Sequence, residues 1–168
     1  MFKLKFKIFL FIIFFTSALL ANEVNINPNH VYFFPKQADE AKDKIIELIN
    51  NSKDSIEISM YNFSYKKLAK ELVKASKRGV EIKVVLDKEK VKDDNDIYKY
   101  LKDNDIKVII PDKKLHTKIA IFDNETALIG SLNWTKESFE ENYEILLLSN
   151  DKKTILDMSD FFNNFNIR

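Results

Sequence analysis

Between His30 and Ile110 the apolar pattern switches repeatedly between a two-residue and a 3.6-residue period, and that switching restricts the fold more than any other feature. His30–Phe34, Ser55–Tyr61, Val80–Leu86 and Ile106–Ile110 are short runs rich in β formers. Between them lie stretches with helical spacing. Ala41, Ile45, Leu48 and Ile49 mark a helix over 37–52, after Pro35 has stopped the first strand. Leu68, Leu72, Val73 and Ala75 mark a second, running from Ser64 as expected N-cap to Arg78, with Gly79 as its stop. Ile97, Tyr100 and Leu101 place a third within Asp93–Asn104. Beyond Ile110 the order changes. Leu115–Phe122 and Thr126–Ile129 read as strands joined by a tight Asp123-Asn124-Glu125 hairpin. Tyr143–Leu148 is a continuous apolar run, expected to be buried on both faces, and Asp151–Phe165 is an amphipathic helix. Alternation followed by a hairpin and a further strand predicts an α/β fold, a mixed β-sheet flanked by helices on both faces. With no internal repeat or linker, residues 22–168 are expected to form one domain.

Composition removes several function classes. Two glycines and three prolines exclude collagen-like and linker-like chains. The absence of cysteine excludes disulfides, thiol nucleophiles and cysteine-based metal sites. Net charge is +1, and it becomes −2 when Lys3, Lys5 and Lys7 are set aside, so a nucleic-acid partner would require a local basic patch. Those three lysines precede an apolar stretch, Ile8 to Ala21, interrupted only by Thr16-Ser17. This is the layout of a secretory signal over residues 1–21, cut after Ala21, or of an uncleaved N-terminal anchor giving membrane attachment. The stretch is short against the roughly 20 residues that span a bilayer. The expected location is outside the cytoplasm: periplasm, cell envelope or medium.

The two histidines have unlike settings. His30 has no polar company and reads as a surface residue. His116 opens His116-Thr117-Lys118, where a two-residue step puts imidazole and ammonium on one side of an extended chain, an electropositive notch suited to a phosphate. Gly130-Ser131-Leu132-Asn133 follows the hairpin, again with Ser131 and Asn133 two residues apart. Two adjacent strand ends thus offer His116, Lys118, Ser131 and Asn133 to one point. A Ser-His-Asp hydrolase is disfavoured because Gly130-Ser131 lacks the strained elbow of G-x-S-x-G. One histidine without a second makes a poor transition-metal site, and no phosphate-cradling G-x-x-x-x-G-K-[ST] loop occurs.

His116, Lys118, Asp123, Gly130, Ser131, Asn133 and Thr135 read H-x-K-x4-D-x6-G-S-x-N-x-T, which resembles the signature of the phospholipase D superfamily. The framework from about residue 29 to 168 is similar to that of its small, single-motif bacterial secreted or envelope endonuclease branch, and to the mitochondrial cardiolipin-hydrolase branch. The resemblance implies a phosphodiesterase with no cofactor and no metal. His116 would form a phosphohistidine, and a second histidine would protonate the leaving oxygen. One motif supplies one histidine, so the resemblance implies a homodimer sharing its active site across a two-fold axis. Lys118, Ser131 and Asn133 would bind the phosphate, and Glu144 would orient the histidine. Asp123 would serve either the hairpin corner or the chemistry. The expected substrate is DNA or RNA cut as by a nonspecific endonuclease; phospholipid headgroups are the alternative, and a non-catalytic binding module is the reading from another class. Tyr61, Phe63 and Trp134 are candidates to stack bases, and Lys66, Lys67, Lys113 and Lys114 to line the approach.

Overall fold

A computed structural model describes residues 29–165; the expectations for residues 1–21 lie outside them. Seven strands form a single sheet. In chain order they are β1 (Asn29–Phe33), β2 (Ser55–Met60), β3 (Glu81–Leu86), β4 (Lys107–Ile109), β5 (Lys118–Phe122), β6 (Thr126–Gly130) and β7 (Ile145–Ser149). In space the order is β1-β7-β6-β5-β2-β3-β4. β2, β3 and β4 are parallel and the other pairings antiparallel, so the sheet is mixed, as the change of pattern after Ile110 predicts.

The parallel pairs require crossovers, which the helices provide. They are α1 (Ala38–Asn51), α2 (Lys66–Lys77), α3 (Lys88–Asp93), α4 (Asp96–Lys102), α5 (Lys136–Glu140) and α6 (Lys152–Asn163). One face of the sheet buries Ile56, Ile58, Val84, Ala120 and Leu128 against Ile45 and Ile49 of α1, Leu68 and Leu72 of α2, and Leu101 of α4. The opposite face buries Val85, Ile119, Ile121 and Ala127 against Ile155, Met158 and Phe162 of α6. Helices therefore cover both faces. Among the described residues no helix is long and apolar enough to cross a membrane.

Several local readings differ from the structure. The helix expected within 93–104 is α4, and an unexpected short helix, α3, precedes it because buried Asp87 caps it through the amides of Glu89 and Lys90. Ser64 is not an N-cap; its amide donates to the carbonyl of Trp134, and α2 begins after Tyr65. The strand expected over 115–122 begins at Lys118, because its partner β2 ends at the facing Met60. The run from Tyr143 is not buried on both faces. Tyr143 is 94% and Ile145 44% exposed, since only β1 lies beyond β7 and α6 packs on β5 and β6.

Candidate active site

The site lies at the end of the sheet marked by Met60 of β2, Lys118 of β5 and Gly130 of β6. Beyond these residues two chain segments are laced together. The amides of Ser64 and Tyr65 donate to the carbonyl of Trp134, at 3.0 and 2.9 Å, and the Trp134 amide donates to the carbonyl of Asn62 at 3.1 Å. Trp134 (1% exposed) fills the space beneath, edge-on to Phe63 at 5.1 Å between ring centroids. Both rings are core. The expectation that Phe63 and Trp134 stack bases is overturned, because a buried ring has no face to offer.

The lacing sets Asn133. Its Oδ1 accepts from the amide of Asn62 at 3.3 Å, which fixes the side-chain orientation and leaves the NH2 group to donate. Gly130 is dictated by a close approach: a Cβ there would stand 2.0 Å from the carbonyl oxygen of Ile145. Thr135 caps α5, its Oγ1 accepting from the amide of Ser138 at 3.1 Å. The small and capping residues of the signature thus build the backbone on which the others stand.

His116 and Lys118 stay on one side, as the two-residue step predicts, though His116 precedes the strand. Thr117 points the other way and bonds Ser59. The imidazole and the ammonium share one neighbour, the half-buried Tyr61, whose ring centroid lies 4.5 Å from that of His116 and 4.9 Å from the Lys118 Nζ. Lys118 is 9% exposed and donates to the carbonyl of His116 at 3.1 Å. Burial pushes its pKa down, and the nearby Glu144 carboxylate opposes that shift. Exposed His116 has no side-chain hydrogen bond among the described residues.

Glu144 and Ser131 form a unit of their own. The Ser131 Oγ donates to a Glu144 carboxylate oxygen and accepts from the Ile145 amide at 3.1 Å. A hydroxyl has one proton to give, and in this arrangement Ser131 gives it to Glu144. Within one chain Glu144 bonds Ser131 rather than His116, and its charge is felt at Lys118.

Asp123 is not at the site. It lies at the far end of β5, where its carboxylate accepts from the amides of Lys53, Asp54 and Ser55, each at 2.9 Å. Burial works to raise its pKa; those three donors and the Lys53 charge overcome it and hold the carboxyl below the usual range. Of the two expected roles, the hairpin corner is the one its position serves.

Of the expected lysines, Lys66 pairs with Asp96 at 3.1 Å, Lys67 and Lys113 are exposed, and Lys114 lies 5.9 Å from the Tyr61 centroid. Sequence reasoning missed two residues: Lys90, 5.6 Å from the same centroid, and Asp87. The Asp87 carboxylate reaches across from α3 to accept the Leu115 amide at 2.9 Å, anchoring the lead-in to His116. An Asp directly before a helix was the available signal.

Residues 45–166 match the family described as the phospholipase D-like domain of cardiolipin synthase, and the chain belongs to that family. Its fold is that of known members. It superposes on NucT from Helicobacter pylori with a TM-score of 0.76 and 26% identity, over 82% of this chain and 94% of that one. With Nuc from Salmonella typhimurium, a phospholipase D family member, the TM-score is 0.73 and the identity 27%, over 82% and 92% of the two chains. A mitochondrial cardiolipin hydrolase from Xenopus tropicalis is 27% identical over 116 residues, 68% of this chain and 55% of that protein. The chain therefore spans little more than half the length of such curated relatives.

Proposed function

We propose that this chain hydrolyses nucleic-acid phosphodiester bonds as an endonuclease, through a phosphohistidine at His116. The observation that carries the reading is the pairing of His116 and Lys118 on one aromatic ring at an open strand end, with the imidazole unengaged. His116 attacks phosphorus as the bond to the leaving oxygen breaks, and the leaving oxygen takes a proton from a second imidazole. Water, deprotonated by that second imidazole, then attacks the phosphohistidine and frees His116. Lys118 and the Asn133 NH2 group stabilise the charge gathering on the non-bridging oxygens. Glu144, held by Ser131, opposes the desolvation of Lys118.

The second imidazole is His116 of another copy, because His30 stands on the edge strand beside Glu40. Exposed Phe33, Tyr143 and Ile145 supply apolar surface for such a copy at the same end of the sheet. Near-complete coverage of NucT and Nuc supports the small endonuclease branch over the longer cardiolipin hydrolases.

The test is plasmid cleavage in EDTA beside headgroup release from cardiolipin vesicles. Cleaved plasmid with intact lipid is expected; the reverse would replace this reading with the lipid one. His116→Asn is expected to lose several orders of magnitude, since acid–base catalysis alone contributes about 10² to 10⁴. Mixed with wild type after subunit exchange, it should depress activity below linear dilution, whereas a straight line would refute the shared site.

A further inference from the structure

Three ammonium groups surround one tyrosine ring at the mouth of the site. The Nζ atoms of Lys118, Lys90 and Lys114 lie 4.9, 5.6 and 5.9 Å from the Tyr61 centroid. A single ring offsets only part of the mutual repulsion of three cations. Among the described residues, neither Lys114 nor Lys118 has a carboxylate within ion-pair distance, and the acid on Lys90 is Asp93, an exposed partner at 3.2 Å. The chain is otherwise rich in lysine–acid pairs, so this accumulation stands out as charge awaiting an anion.

The cluster is also built. Lys90 lies on α3 and Lys114 on the lead-in to His116, twenty-four positions apart in sequence. One buried carboxylate joins them: Asp87 accepts from the amide of Lys90 itself, at 3.2 Å, and from the amide of Leu115, next to Lys114. The two backbones are thereby fixed relative to each other and to His116. Lys118 is committed to the reacting phosphate. Lys90 and Lys114 exceed what one monoanionic phosphate calls for, and Tyr61 between them is half-exposed.

We propose that Tyr61, Lys90 and Lys114 form a second anion subsite beside the reacting centre, which takes the neighbouring phosphate of a polynucleotide strand. The proposal rests on the reading that His116 attacks a nucleic-acid phosphodiester. It assigns the substrate a polyanionic backbone rather than an isolated diester, and it makes Lys90 and Lys114 determinants of polymer affinity.

The experiment separates binding from cleavage. Full-length His116→Asn protein and the same protein carrying K90Q and K114Q are titrated with a fluorescent single-stranded oligonucleotide across a salt series. Loss of the one phosphate that the subsite holds should flatten the log–log salt slope by about 0.7 and weaken binding about fivefold at 0.1 M salt. K77Q with K152Q, exposed lysines elsewhere, provides the comparison for unspecific charge loss. In a second arm, with His116 intact, K90Q/K114Q and the parent chain are compared on oligonucleotide and on bis(p-nitrophenyl) phosphate. The expected result is a KM increase for the polymer several times any change for the small diester. An unaltered salt slope, equal loss in both lysine pairs, or equal loss on both substrates would each overturn the subsite. If parent protein binds the oligonucleotide through these lysines yet cuts only lipid, the endonuclease reading fails while the anion subsite stands.

Discussion

Replacing Asp123 separates architecture from chemistry. Its carboxylate takes three backbone amides at the start of β2 and sits at φ 51°, a left-handed conformation followed by Asn124 at φ 53°. Asp123→Ala removes all three acceptor contacts and puts a residue with no local side-chain hydrogen bond in the left-handed region, which costs about 1 kcal/mol. A hydrogen bond to a charged group contributes about 1.5–3 kcal/mol, but Asp123 is half-exposed, so water recovers much of it, leaving about 1–3 kcal/mol for the set. The expected loss is about 2–4 kcal/mol, or a fall in Tm of roughly 6–15 °C for a domain of this size. Asp123→Asn keeps one acceptor and tolerates the positive φ, so it should lose about half as much. The pH dependence has a definite sign. The folded pKa lies below the unfolded value near 3.9, so the carboxylate's stabilisation is complete above that pH and disappears as pH falls through the folded pKa. Melts of wild type and Asp123→Ala should therefore converge on acidification. Specific activity per folded molecule at 25 °C should stay within about twofold, far from the 10² or more attached to an acid–base group. An unchanged melt with a hundredfold loss of turnover would refute this assignment.

Two further outcomes follow from the site. Gly130→Ala forces a Cβ into the Ile145 carbonyl, so it should cost at least about 1–3 kcal/mol by thermal melt and loosen Ser131 and Asn133; a wild-type melt would show the β6–β7 approach to be compliant. Lys118 must be charged to act and its pKa is lowered, so kcat/KM should fall on the alkaline side below the pH near 10.4 where an ordinary lysine titrates, and Glu144→Gln should move that limb lower still; coincident pH profiles would remove Glu144 from the electrostatics.

What was legible in the sequence was what depends on period. The switch from helical alternation to a hairpin announced a mixed sheet, and the two-residue step put His116 beside Lys118 even though β5 starts later. Asn133 was found because its step from Ser131 follows the same rule. The misreadings depend on partners far along the chain. The bond from Ser131 to Glu144, thirteen residues on, is invisible in the two-residue step. Trp134 looks like a stacking platform until the Asn62–Tyr65 segment closes over it. Asp123 keeps its place in the signature because a hairpin turn and three distant amides need a carboxylate there. Asp87 and Lys90 escaped notice because their significance lies in what α3 is set against.

The direction of β1 bears on which molecules reach the catalytic end. Asn29 pairs with Ser149 and Phe33 with Ile145, so the strand enters at the end opposite His116 and runs toward it. Suppose residues 8–21 remained in a bilayer. The polar stretch 22–28, at most about 25 Å when fully extended, would then join the bilayer to the end of the sheet opposite His116. Attachment at that end would leave the catalytic end of the sheet unobstructed by the anchor.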